Sequence, residues 1–158
     1  HNADLLGDYV KLEMEERSRI VLENDSFLVL VPYWAVWPFE TMIASKTKTP
    51  SIAHFTDKQK EDLASMMKQL TVKYDNLFET SFPYSMGLHQ APLNATGDEL
   101  NNAWFHMHFY PPLLRSATVR KFLVGFEMLG EPQRDLTAEQ AAERLRKLDG
   151  VHHYTENL

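Results

Sequence analysis

The sequence contains no cysteine, so disulfides and thiolate metal sites are excluded and histidine and carboxylates remain as metal-binding side chains. No apolar run approaches the roughly 20 residues that a bilayer span requires, and no secretory leader is visible. A membrane is therefore not an expected partner, and a cytoplasmic location is the expectation. Basic residues are outnumbered, 16 Lys and Arg against 22 Asp and Glu, for a net charge of −6. That balance argues against general nucleic-acid binding or adhesion to an anionic surface. There is no Gly-x-Ser-x-Gly, no glycine-rich phosphate loop, no internal repeat and no low-complexity tract, so serine and cysteine nucleophiles and phosphate-loop chemistry have no support.

What is present suits one globular domain. The chain has 158 residues, of which 44% are hydrophobic and 24% charged, enough for a sizeable core. It begins at His1 rather than Met and reads as a piece of a longer protein.

The most informative stretch is Trp104-Phe105-His106-Met107-His108-Phe109-Tyr110-Pro111-Pro112. Its bulky residues suit a strand that proline ends. Side chains two apart leave a strand on one face, so His106 and His108 point together while Phe105, Met107 and Phe109 point the other way. Such a pair is a set of metal ligands, a proton-transfer dyad, or a core strand with two hydrogen-bonded histidines.

In chain order, Ala3 to Arg17 predicts a short amphipathic helix with Leu5, Leu6, Tyr9, Val10 and Leu12 apolar. Its acidic end, Glu13, Glu15 and Glu16, is expected to be solvated, or to lend a carboxylate to a metal. Ile20 to Glu23 and Phe27 to Val31 predict two strands joined by Asn24-Asp25-Ser26. Two prolines bracket the tryptophans in Tyr33-Trp34-Ala35-Val36-Trp37-Pro38-Phe39-Glu40, as in a rigid loop or sheet edge, and Thr41 to Ser45 predicts another strand. Thr56-x-x-Gln59 has capping-box spacing. Leu63, Met66, Met67, Leu70, Tyr74, Leu77 and Phe78 then form an apolar stripe at helical period, which needs a sheet to lie against. Phe82 to Leu88 predicts a short strand leading to His89, and Gln90 to Asn102 a polar loop. Lys121 to Leu129 predicts a further strand. Thr137-x-x-Gln140 starts a last helix through about Leu148, ended by Gly150. This order predicts an α+β fold with a mainly antiparallel sheet, one long helix packed on it, and helices at both ends.

The seven histidines divide unequally. His1, His152 and His153 lie near the termini, where mobile surface is expected, and His54 reads as structural. His89, His106 and His108 each lie on or at the end of a strand, and three convergent neutral imidazoles suit Zn²⁺ or Fe²⁺, with a carboxylate or water completing the shell. Lys121 and Glu127 are six apart on a predicted strand, which puts both on one face with Gly125 between them. That face is either solvated or a place for a sugar and its phosphate.

The blocks from Tyr33 to Thr41, Phe82 to His89, His106 to Phe122 and Arg134 to Leu145 closely resemble the galactose-1-phosphate uridylyltransferase family. The resemblance covers nearly the whole chain. It implies that residues 1–158 form the C-terminal, histidine-triad-like half of such an enzyme, working with its own N-terminal half and as a homodimer. The family exchanges uridylyl groups between UDP-glucose and galactose 1-phosphate, through a uridylyl-histidine, to give UDP-galactose and glucose 1-phosphate. Its nucleophile lies in a His-Pro-His-Gly-Gln motif that this chain lacks, and its cysteine-containing zinc site lies in the first half too. No catalytic residue is therefore assigned here, and the chain alone is expected to be inactive. Tyr110 stands where a histidine-triad hydrolase carries its third histidine. By resemblance His89, His106 and His108 are ligands of iron or zinc, with a fourth, glutamate, ligand upstream of His1. Lys121, Phe122, Val124, Phe126, Glu127 and Gln133 match positions that bind hexose and phosphate across the dimer interface, with Phe126 where the family often has tyrosine. The alternatives are a non-catalytic metal- or nucleotide-binding module of this fold, or a related nucleotidyltransferase or phosphorylase taking another sugar or an adenylyl nucleotide.

Overall fold

A computed structural model describes residues 4–111 and 136–154. The predicted strand Lys121 to Leu129, and with it Lys121, Phe122, Val124, Phe126, Glu127 and Gln133, lies outside the described residues.

Among the described residues, five strands form one antiparallel sheet: β1 (Ile20–Glu23), β2 (Phe27–Leu30), β3 (Thr41–Ser45), β4 (Ser85–His89) and β5 (His106–Tyr110), in the spatial order β1-β2-β3-β5-β4. Four helices of the described residues accompany it: α1 (Leu5–Glu16), α2 (Asp57–Phe78), α3 (Asp98–Asn102) and α4 (Ala138–Arg146). The expected α+β architecture is therefore observed. Two local elements escaped the sequence pattern. A 3-10 turn spans Ile52–His54, and the polar segment after His89 carries the short α3, which has no apolar periodicity to announce it. The last helix is also shorter than expected, because Lys147 rather than Gly150 caps it.

The pleat sorts the core into two layers. Val21, Phe27, Val29, Ile43, Met107 and Phe109 face α2 and α4, where they meet Leu63, Met66, Leu70, Tyr74, Leu77 and Leu145. Both capping boxes form, with Thr56 and Gln59 satisfying each other's backbone N–H on α2 and Thr137 and Gln140 on α4. The fully buried Tyr74 donates its hydroxyl proton to the carbonyl of Phe39 at 2.8 Å and lies 2.7 Å from the Thr41 hydroxyl. That contact ties the long helix to the aromatic loop. The segment is a loop rather than a sheet strand: the Glu40 carboxylate accepts from the N–H groups of Val36 (3.1 Å) and Trp37 (3.3 Å), and Phe39 holds a left-handed φ of 62°. On the opposite face, Ile20, Leu28, Leu30, Met42 and Ala44 pack under Val10, Leu6 and Tyr9 of α1.

Two surface assignments change. Glu13 is not solvated: it is 0% exposed and accepts from Arg19 Nε at 2.6 Å, while Arg19 Nη1 reaches Glu139 of α4 at 2.8 Å. An amphipathic helix laid on a sheet buries whatever lies on its inner face, and here that includes an acid which must be paired. His152 and His153 are likewise not loose. His152 Nε2 lies 3.0 Å from Asp75 Oδ2, and the His153 N–H donates to Asn76 Oδ1 at 2.8 Å, which straps the end of the described chain to the C-terminal end of α2. His54 is structural, as expected, its Nδ1 lying 2.8 Å from the Ser51 hydroxyl.

The Glu13–Arg19 pair generates a prediction. Arg19→Ala leaves a buried carboxylate without its cation and should cost about 3–5 kcal/mol. Glu139→Gln, on the exposed side of the same arginine, should cost less than about 1 kcal/mol. Urea unfolding of both variants checks the contrast, and equal losses would show that Glu13 does not depend on Arg19.

Candidate metal centre

The site is built by strand register. On β5, His106 lies opposite Ala44 of β3 and opposite His89 of β4, while His108 lies opposite Met42 and Gly87. His106 and His108 are two apart and His89 is paired directly with the first, so all three leave the sheet on the face that carries Met42 and Ala44. One ligating atom from each of the three lies within 4.8 Å of the others. The His89 and His106 rings stack, with centroids 4.8 Å apart and planes within 5°, and His108 meets both edge-on at 5.4 and 5.3 Å. Met107 and Phe109, between the histidines in sequence, point into the other layer and are buried there. The predicted division of this strand is observed.

Gly87 shares the face of the triad. A Cβ built there would lie 3.7 Å from His89 Nε2, an ordinary contact. Any longer side chain would grow toward the imidazoles.

The electrostatics favour neutral rings at His106 and His108. Burial, and then the neighbouring His106 and His89, push the His108 pKa down to about 4. Burial also lowers that of His106, against the opposing bond to the Trp104 carbonyl. Neutral imidazole is the form that binds metal. His106 Nδ1 lies 2.8 Å from the Trp104 carbonyl oxygen. His108 Nδ1 is buried and has no hydrogen-bond partner among the described residues, and a buried polar atom in that state calls for an explanation. Three convergent imidazoles, two of them held neutral by the fold and one of those with an orphaned ring nitrogen, fit a borderline cation such as Zn²⁺ or Fe²⁺.

No carboxylate joins the group among the described residues. The suggestion that the acidic end of α1 might supply one is corrected by geometry. The cleft beside His106 is lined by Asp4, Leu5, Leu6, Asn102 and Trp104, so it is the first turn of α1 that approaches the site. Glu13 lies seven residues further on, about 10 Å along the helix axis at about 1.5 Å per residue, and is held by Arg19. Sequence reasoning also missed Trp104, whose carbonyl holds His106. The one signal was Gly7, a glycine inside a helical pattern.

The lowered pKa values yield a prediction for the metal-free protein. Their folded values lie below the ordinary 6.5 of histidine. Between about pH 4 and 6.5 the unfolded chain therefore binds more protons, and stability should fall as pH drops through that window. His108→Asn should flatten that acid limb in chelator-treated protein, measured as unfolding midpoint against pH. An unchanged limb would mean that His108 is not held neutral by the fold.

Residues 1–157 match the family model described as "Galactose-1-phosphate uridyl transferase, C-terminal domain". The galactose-1-phosphate uridylyltransferase of Saccharomyces cerevisiae is 75% identical over 158 residues, 100% of this chain and 43% of that protein. Those of Haemophilus influenzae and Rattus norvegicus are 61% and 54% identical over 97% of this chain. The chain thus spans less than half the length of the curated relatives it matches. A solved structure titled "Structure of uridylyltransferase" superposes with TM-score 0.74 at 27% identity, covering 87% of this chain and 43% of that one. A zinc-bound histidine triad family protein from Mycobacterium smegmatis shares the fold at TM-score 0.56 and 13% identity, covering 91% of this chain and 93% of that one. Matched along its length by that model, and at identities of 54–75% by those three relatives, the protein belongs to the galactose-1-phosphate uridyl transferase family, as its C-terminal domain.

Proposed function

We propose that this chain is the non-nucleophilic half of a hexose-1-phosphate uridylyltransferase, and that it supplies a metal-stabilised scaffold together with sugar-phosphate contacts. The observation that carries the reading is the coincidence of the family match over residues 1–157 with the convergence of His89, His106 and His108. In the whole enzyme the uridylyl group passes from UDP-glucose to galactose 1-phosphate through a histidine in the remaining, N-terminal part, and the molecule works as a cytoplasmic homodimer.

The chemistry of the described residues supports that division of labour. Uridylyl transfer through histidine needs an imidazole activated as a nucleophile against the α-phosphate. His106 and His108 are part-buried, neutral and crowded against each other and His89, which suits holding a cation. Tyr110, next along the same face, stacks on His108 at 5.5 Å, and a phenol offers no imidazole for transfer. Zinc or iron at the three histidines would link β4 to β5 and fix the sheet edge, with a further ligand from upstream. The ion is a structural brace in this reading.

Metal analysis tests the first part. The chain equilibrated with Zn²⁺ or Fe²⁺ should bind one ion, weakly because no carboxylate joins the three histidines among the described residues, and His106→Asn should abolish it. Stoichiometric metal in a His89→Ala/His106→Asn double variant would overturn the site.

The substrate contacts are proposed for Lys121, Phe122, Val124, Phe126, Glu127 and Gln133, with Lys121 on the sugar phosphate and Glu127 on the hexose hydroxyls. In the full-length enzyme Lys121→Ala removes a charge-assisted contact of roughly 1.5–3 kcal/mol, so kcat/KM should fall about tenfold to a hundredfold for both sugars. Glu127→Gln should instead change the preference between glucose and galactose substrates as well as the rate. Steady-state kinetics with both sugars decides this, and wild-type values for both variants would leave the segment with only a packing role.

A further inference from the structure

Gly7 lies in the first turn of α1, and glycine is a poor helix former, costing up to about 1 kcal/mol relative to alanine in a helix interior. Its packing explains why the residue is there. A Cβ at Gly7 would come within 2.4 Å of Cζ3 and 2.9 Å of Cη2 of Trp104, so the helix backbone rests directly on the indole. The same indole is anchored through Nε1, which donates to the Ser45 carbonyl at 2.8 Å. The peptide that follows is clamped as well, because the Phe105 N–H donates to the Thr49 carbonyl at 2.8 Å. The Trp104 carbonyl shares a plane with that N–H and so has little freedom to swing. It faces His106 Nδ1 at 2.8 Å. A carbonyl can only accept, so the proton of the neutral imidazole must sit on Nδ1, which leaves Nε2 bare.

We infer that Gly7 and Trp104 are positioning residues for the histidine centre: by seating α1 on the indole they aim the Trp104 carbonyl and hold His106 as the Nδ1–H tautomer, with Nε2 as its metal-binding nitrogen. Partners of this kind orient metal-ligating histidines, and their loss typically lowers metal affinity 10- to 100-fold. The cleft lined by Asp4, Leu5, Leu6, Trp104 and His106 shows how directly the two parts meet, since the first turn of α1 and the imidazole form its walls. The inference rests on the three histidines being a metal site, but its first readout needs no ion.

The experiment uses the full chain labelled with ¹⁵N-histidine. Long-range ¹H–¹⁵N spectra of the metal-free protein at neutral pH should show a single Nδ1–H tautomer for His106 in the wild type. Both tautomers should appear in Gly7→Ala, which forces a methyl into the indole, and in Trp104→Phe, which removes the bond to Ser45. Zn²⁺ affinity, measured by competition with a chromophoric chelator, should fall about 10- to 100-fold in both variants. Leu63→Val, in the layer beneath the other face of the sheet, should lower the unfolding temperature and move neither readout. If Gly7→Ala does not fold, Trp104→Phe decides. A single Nδ1–H tautomer and unchanged Zn²⁺ affinity in the folded variants, or an equal loss in Leu63→Val, would refute the positioning role. A wild type that binds no Zn²⁺ would instead refute the metal reading, and the tautomer comparison would still decide the role of Gly7 and Trp104.

Discussion

The antiparallel register of β3, β5 and β4 is the constraint on which the rest depends. A strand alternates its side chains with period two, so a shift of one residue between β5 and β4 would turn His89 away from His106 and bury a ring nitrogen among phenylalanines. The observed pairing of His89 with His106 and Gly87 with His108 avoids this. The register is held by what lies on the other face. Met107 and Phe109 must meet Ile43 and the α2 stripe, and that apolar requirement fixes where the histidines emerge. The polar site is thus set by the packing behind it.

The two faces of the sheet carry different chemistry. The α2 and α4 face is a buried apolar layer closed by Tyr74, Phe39 and Thr41. The α1 face is apolar over β1, β2 and β3 and becomes histidine-rich over β5 and β4. Because α1 covers the apolar part, His106 and His108 sit at the margin of the covered area while His89 is exposed beside them. Burial at that margin makes protonation of His106 and His108 costly while leaving the rings within reach of a further ligand. The Glu13–Arg19–Glu139 chain, buried at its Glu13 end, joins α1 to α4. It therefore also helps to set the seat of the helix that presses on Trp104.

The fold is shared with proteins of much lower identity, histidine triad proteins among them. Fold alone therefore does not distinguish this domain, and the distinction lies in particular positions. Tyr110 follows the two strand histidines on their own face, and the third imidazole of the cluster comes from β4 instead. In this domain the strand pattern stands in a setting where one ligating atom from each of three imidazoles lies within 4.8 Å of the others.

Much of this was legible in the sequence because it depends on short-range period. Alternation along β5 showed which of its side chains share a face, both capping boxes marked their helices, and the stripe from Leu63 to Phe78 required a sheet beneath it. Long blocks of residue identity marked the family. What remained hidden depends on contacts between distant segments. Glu13 looked solvated until Arg19 and α4 closed over it, and the strap from His152 and His153 to Asp75 and Asn76 spans 77 residues. α3 has too little periodicity to be seen. By itself the sequence determined the five described strands, the three longer described helices, the fold class, the family and the identity of the three histidines, since each follows from local pattern or from blocks of residue identity. Only the tertiary structure decided which nitrogen of His106 is protonated and which end of α1 approaches it, because a tautomer is set by an acceptor brought into place through packing and no spacing encodes it.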